Sequence, residues 1–367
     1  MTTFETAPPQ RPTQQQLDAM VAEHGKWLAD PKTGTRLALQ NIDLVGLQMT
    51  GNLSHAKFVN CQLQGATLRN VSMSQGEFLN CDLSASLLEN VQIGPGPGMI
   101  RDCTFTKVRT SNLRFTNAQF FSCGFVAADL NQTAFTSCFM SECSFRDASL
   151  SETAFSKGTL QQANLNGVSL SGRNWVNGTT FSGGSAIGLD LTGFETLNEA
   201  RFLGVDLTRA NATGIDFGED GLNVKSLAGS RFIDATMTGC KLAGPDLQNL
   251  DLTGADLSNA VLKGDMRGSV FRRATLARTQ LAWINVEACD FTEASGPFET
   301  DNIRAARADF TRANIAGAYL AYADLRGAIF RDARLDHAQL GGADLDGAIW
   351  TTGDICRAGS LGRCIIA

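Results

Sequence analysis

The chain has 367 residues, 43% of them apolar and 19% charged, with a formal net charge of −6. That mild acidity excludes a simple nucleic-acid binder, which needs a basic stripe to displace counterions. No apolar run is long enough to span a bilayer. The first residues also lack the basic-then-apolar order of a secretory signal, so the expected location is cytoplasmic, with signal-independent secretion left open.

In chain order, residues 1–12 are rich in Pro, Thr and Gln and are expected to be disordered. Thr13 is placed to cap a helix, and Leu17, Met20, Val21, His24, Trp27 and Leu28 then share one face at helical spacing. Pro31 ends that helix, and residues 13–36 form a helix and link. Its expected task is to cover the open end of the structure that follows, the alternative being an exposed docking helix.

From residue 37 to 355 the sequence repeats with a period of five. Large apolar residues recur at Leu53, Phe58, Leu63, Leu68 and Met73, and two positions before each sits a small or apolar residue such as Gly51, Ala56, Cys61, Ala66 or Val71. Five matches neither the helical period nor the flat-strand period. It fits a chain that turns a corner after each short extended step, so that four steps close a square coil and residues 20 apart stack at the strand spacing. Three columns follow: Phe105, Phe125 and Phe145; Phe115, Phe135, Phe155 and Trp175; and Phe310, Phe330 and Trp350.

The stretches "GADLSNAVL", "AYADLRGAIF" and "ADLDGAIW" carry the pattern in its cleanest form. On these residues the sequence resembles the pentapeptide-repeat family, with its A-(D/N)-L-x-x consensus, over roughly residues 37 to 355. The resemblance implies an all-β solenoid, a right-handed quadrilateral parallel β-helix, with the short N-terminal helix as its cap.

The frame is interrupted near 94–100 by Gly94-Pro95-Gly96-Pro97-Gly98, near 171–200, and near 292–304; one residue is also lost between Leu262 and Met266. Acidity is densest at Gly218-Glu219-Asp220. Of the interruptions, 292–304 is the best candidate for a partner-facing loop, presenting Pro297, Phe298, Glu299 and Asp301. Residues 356–367 form a tail that either folds over the end or lets two molecules stack, giving a monomer or an end-to-end homodimer. Within it Cys356 and Cys364 flank "RAGSLGR" outside the repeat and are candidates for a disulfide, with free thiols the alternative in a reducing cytoplasm.

The other eight cysteines, Cys61, Cys81, Cys103, Cys123, Cys138, Cys143, Cys240 and Cys289, fall in the small inward slot and read as small hydrophobes. The three histidines, His24, His55 and His337, are far apart in sequence, and no metal, nucleotide or nucleophile motif occurs. The expectation is a protein that is not an enzyme and has no cofactor, metal or direct nucleic-acid site. It would present β-helix faces and loops to a protein partner. Two alternatives rest on the family resemblance: a DNA mimic acting on DNA gyrase, and an effector or accessory of a secretion system.

Overall fold

A step of five residues leaves two side chains pointing inward and two outward, with the fifth at a corner. The computed structural model describes residues 9–96, 98–218, 221–244 and 246–366, without the side chains of Ala282 and Asp301. Most of the 1–12 segment, Pro97, Glu219-Asp220 and the Asp301 side chain therefore lie outside the described residues. Two compact units follow one another, Met1–Thr179 and Thr180–Ala367, and each is built of the same four-walled coil.

In the first unit one wall consists of three-residue parallel strands: Ala38–Gln40, Lys57–Val59, Glu77–Leu79, Met99–Arg101, Gln119–Phe121, Phe139–Ser141 and Thr159–Gln161. A second wall includes Arg114–Thr116, Ala134–Thr136 and Ala154–Ser156. The other two walls are held by single parallel bridges, such as Gly124↔Ser144 and Asp129↔Ser149. Parallel crossovers of this kind take the right hand. The architecture is a right-handed quadrilateral parallel β-helix.

Corners need a left-handed residue, and the sequence supplies one at a fixed place, two positions after each central residue. Asn60 (φ 52°), Asn80 (φ 52°) and Gly254 (φ 70°) are examples. Asparagine tolerates this region because its side chain bonds locally. Here the amides also link coil to coil, Asn80 Nδ2 donating to Asn60 Oδ1 at 2.9 Å and Asn60 Nδ2 to Asn41 Oδ1 at 3.0 Å.

Inside, Phe105 stacks on Phe125 at 4.7 Å and Phe125 on Phe145 at 4.9 Å. Phe115, Phe135 and Phe155 form the neighbouring column, at 5.2 and 5.0 Å. Trp175 does not extend it. Phe155 pairs with Val176 and Ala154 with Trp175, so the register slips by one. The step from Leu170 to Val176 contains an extra residue, and a one-residue slip sends every side chain to the opposite face. Val176 is therefore fully buried and Trp175 is 37% exposed.

The glycine–proline run at 94–98 is an insertion within one coil. Met73 pairs with Ile93, 20 residues on, whereas Glu77 pairs with Met99, 22 residues on. The run bulges at a corner and the ladder resumes.

In the second unit Phe181 stacks on Phe202 at 4.8 Å, and the blurred stretch before residue 200 includes a short 3-10 turn, Leu191–Gly193, capped by Asp190. Arg201 then pairs with Ser226, and Asp206 with Arg231, each 25 residues on. A whole pentapeptide is inserted after Phe217, where the backbone doubles back with Leu222 N donating to Asp216 O and Val224 N to Phe217 O. Further on, Asp251 pairs with Val270 and Asp290 with Asp309, coils one residue short. Phe271, Phe291, Phe310 and Phe330 stack continuously despite this, at 4.6, 4.9 and 5.1 Å, and Trp350 tilts against Phe330 at 5.9 Å.

Residues 292–304 are not a loop. Phe298–Asp301 is a wall strand, parallel to Thr279–Ala282, and Phe298 and Ile303 are each only 1% exposed. The sequence gap is a single deleted residue, Gln280 pairing with Glu299.

Both ends are covered. Helix α1, Gln14–Ala29, begins with a capping box between Thr13 and Gln16. It lies on the first coil through a reciprocal pair of bonds, Gln14 Nε2 to Gln48 O and Gln48 N to Gln14 Oε1. Leu17 and His24 are fully buried, Val21, Trp27 and Leu28 are half-buried, and Met20 departs from the expected inner face at 40% exposure. At the other end the tail folds back antiparallel, Ile355 against Ile349 and Leu361 against Asp344. Cys356 and Cys364 are joined by a disulfide, which closes that clasp.

Candidate interaction surfaces

The interior is chemically quiet. Cys61, Cys81, Cys103, Cys123 and Cys143 line one corner, and their thiols donate to nearby carbonyls, Cys103 Sγ to Arg101 O at 3.2 Å and to Phe78 O at 3.4 Å. All eight unpaired cysteines are buried. Burial pushes the thiol of Cys138 up to about 11, and those of Cys240 and Cys289 to about 12, so they stay protonated and unreactive. Among the described residues no cluster of His, Cys, Asp or Glu is arranged to hold a metal.

The recurring Asp and Asn are structural. Many accept the backbone N–H two residues on, as Asp82 does from Ser84 at 2.8 Å and Asp290 from Thr292 at 2.8 Å. In the second unit many also meet an arginine: Arg272 with Asp290 at 2.7 Å, Arg326 with Asp324 at 2.8 Å, Arg312 with Glu293 at 2.6 Å, and Arg307 with Glu287. The hydrogen-bonded guanidinium of Arg326 holds Asp324 below the usual carboxylate range. Positive and negative charges thus alternate along these walls.

Two outer walls depart from this pattern. In the first unit the strands that bury Phe58, Phe78, Ile100, Phe120 and Met140 turn their flanking residues outward. Those flanks are Val59, Leu79, Met99, Phe121 and Phe139, all half-buried. Phe121 and Phe139 meet at 5.8 Å, and the Arg101 guanidinium sits 4.8 Å over the Phe121 ring. The sequence signal was available: Val59, Leu79 and Phe121 are apolar at a slot that the repeat reserves for polar residues.

On the second unit an open concavity of about 620 Å³ is bordered by Arg278, Gln280, Pro297, Glu299, Tyr319 and Gln339. Of the four residues expected on a loop, Pro297 and Glu299 are exposed at this concavity, Phe298 is core, and the Asp301 side chain lies outside the description. The ring columns and the helix residues Leu17, Val21, Trp27 and Leu28 are structural, and Cys356 and Cys364 belong to the clasp.

The family model for pentapeptide repeats matches in eight copies, over residues 52–90, 128–167, 226–259 and 308–347. None of the curated proteins matches the sequence. Among solved structures, the chain is similar to QnrB1, a plasmid-mediated fluoroquinolone resistance protein. That match has 18% identity, covers 60% of this chain and 84% of that one, and has a TM-score of 0.25. It is also similar to HetL, a pentapeptide repeat protein involved in heterocyst differentiation regulation in the cyanobacterium Nostoc. Here identity is 18%, coverage 91% of this chain and 97% of that one, and the TM-score 0.15.

Proposed function

Since the chain is a pentapeptide-repeat protein, we propose that it acts without catalysis, as a scaffold whose N-terminal unit binds another protein through the apolar outer wall. One observation carries this reading: Phe121 and Phe139 face water side by side, with Arg101 over one ring, on a wall that also bears Val59, Leu79 and Met99. Contiguous outward apolar residues mark interaction sites, and aromatic and arginine side chains dominate binding energy at interfaces. Removing such area from water contributes roughly 25 cal/mol per Å² before ordering costs are subtracted.

Photo-crosslinking from position 79 in the native cell tests it. One protein species should crosslink from Leu79 and not from Ser149 on another wall. The double variant Phe121→Ser, Phe139→Ser should lose that adduct while keeping its β circular dichroism. An adduct that survives the double variant, or that forms equally from Ser149, overturns the proposal.

The phosphate-mimicking alternative, with DNA gyrase as partner, needs a continuous line of free carboxylates. The arginine pairs on the second unit interrupt such a line, as does Arg231 beside Asp206. Unaltered gyrase supercoiling in the presence of the chain is the expected result. No helix among the described residues is long and apolar enough to cross a membrane.

A further inference from the structure

We propose that the wall of the second unit carrying Gln280, Glu299, Tyr319 and Gln339 is a binding strip for a linear, uncharged polysaccharide. These four residues form one column, Gln280 pairing with Glu299, Glu299 with Tyr319, and Tyr319 with Gln339. They therefore repeat at the strand spacing of about 4.8 Å along the stack. Three residues beyond Gln280 stands Trp283, and three beyond Tyr319 stands Tyr322, so both rings border the same wall at its next corner. Trp283 is 72% exposed and Tyr322 73%. The chain has only two tyrosines and four tryptophans, so both tyrosines and one tryptophan gather on this wall.

The corner conformation makes that gathering costly. Trp283 has φ 56° and Tyr322 φ 59°, and among the described residues they are the only Trp, Tyr or Phe in the left-handed region. A bulky residue there is an outlier costing roughly 1–2 kcal/mol, where glycine or asparagine would fit without strain. Within this column of corners Asn302 lies between the two and Gly342 follows, whereas corners elsewhere also take long side chains such as Lys107, Glu293 and Arg307. Strain of this kind gathers at functional sites. The Tyr322 ring also needs its neighbour to be glycine, because a Cβ on Gly342 would lie 2.7 Å from Tyr322 Cδ1. In register between the polar column and the ring border stand Ala282, Asp301, Ala321 and Gly341. The polar column thus has the concavity beside Arg278, Pro297 and Gly317 on one side and the exposed rings of Trp283 and Tyr322 on the other.

The chemistry selects the ligand. Sugar rings offer an apolar C–H face that stacks on Trp and Tyr, and hydroxyls that pair with amide and carboxylate groups able to donate or accept. A protein hot spot instead needs a desolvated pocket sealed by a rim, whereas this strip is open and polar. Charge disfavours a polyanion: the one guanidinium at the concavity, Arg278, is already directed to Asn259 Oδ1 at 2.8 Å. A long, neutral, hydroxyl-rich chain lying along the column meets the polar side chains with its hydroxyls and the bordering rings with its C–H faces.

Affinity electrophoresis of the full chain tests the proposal, using gels containing mixed-linkage β-glucan, xylan, galactomannan or soluble starch, with alginate as the charged comparison. Trp283→Gly and Tyr322→Gly relieve the corner strain, so these variants keep the fold. The expected result is retardation by at least one uncharged polysaccharide, weakened about tenfold by each variant and abolished by both together. Absence of retardation in every uncharged gel overturns the proposal. So does retardation by alginate alone, or undiminished retardation of the double variant. Loss of the Leu79 crosslink in the double variant would reassign these rings to the protein partner.

Discussion

The two units close the same coil with different parts. In the first, two adjacent columns of phenylalanine fill the prism, cysteine recurs in the small slot, and amide side chains link the corners. In the second, alanine holds most small slots, leucine and isoleucine share the centres with one long phenylalanine column and the short Phe181–Phe202 stack, and arginine–carboxylate pairs tie successive coils. The fold therefore asks for little: one small and one large inward residue per step, and a corner residue that accepts positive φ. Everything else on the walls is free to differ, and it does. The first unit shows water an apolar face, and the second a polar strip edged with rings.

Core substitutions strain this comparison most. Phe135 stacks on Phe115 and Phe155 and meets Phe120 and Phe145 edge-on, so Phe135→Ala should cost about 3–5 kcal/mol in denaturant unfolding. Ile315→Ala, in an aliphatic part of the second unit, should cost less, near the lower end of about 2–5 kcal/mol. The reverse order would show that the rings are not the stronger cement.

Corners come next. Gly254→Ala places a Cβ 2.1 Å from Asp234 Oδ1 at φ 70°, and a loss of roughly 1–2 kcal/mol is expected. Ala85 in the first unit occupies the same kind of corner at φ 56°, so Ala85→Gly should raise the thermal midpoint. If both substitutions shift stability the same way, the corner argument is wrong.

In the histidine range the pH effect falls on the cap. His24 accepts the Leu37 N–H at Nδ1 (3.1 Å) and donates from Nε2 to Ser54 O (3.0 Å), an arrangement that requires neutral imidazole. Burial lowers its pKa below the ordinary 6.5, helped by Arg36 and His55 and opposed by the Ser54 bond. The unfolded chain then binds the proton more readily. The contribution of His24 is fully present above pH 6.5 and is lost as pH falls through the depressed value. Amide exchange of Leu37 should accelerate on acidification, and His24→Phe should remove the pH dependence.

Surface ion pairs should matter least. Arg272→Ala breaks an exposed contact to Asp290 and is expected to change stability by no more than about 1 kcal/mol. A larger loss would mean that the arginine rungs of the second unit do work that the amide rungs do in the first.

The period-five pattern made the fold legible because inward volume is the one thing each step must specify. Register was harder to read. An insertion of five residues after Phe217 leaves the five-residue phase intact while moving the coil-to-coil pairing to 25, so the sequence showed no break there. Conversely, one deleted residue before Phe298 breaks the phase without making a loop, so 292–304 looks like a loop in the sequence although its backbone stays in the wall. Trp175 failed for the same reason, since a large ring beside Val176 draws the eye although strand pairing chooses the valine. The apolar outer wall escaped notice because exposure depends on which neighbour sits in the next coil, and that is a question of register.

A crystal structure of the full chain tests the central claim most directly, because it reads pairing and side-chain direction together. The account predicts Phe155 packed against Val176 with Trp175 outside, Phe298 buried in a wall strand, and Trp283 and Tyr322 projecting from corners at positive φ. Trp175 stacked beneath Phe155, or residues 292–304 standing out from the wall, would contradict it.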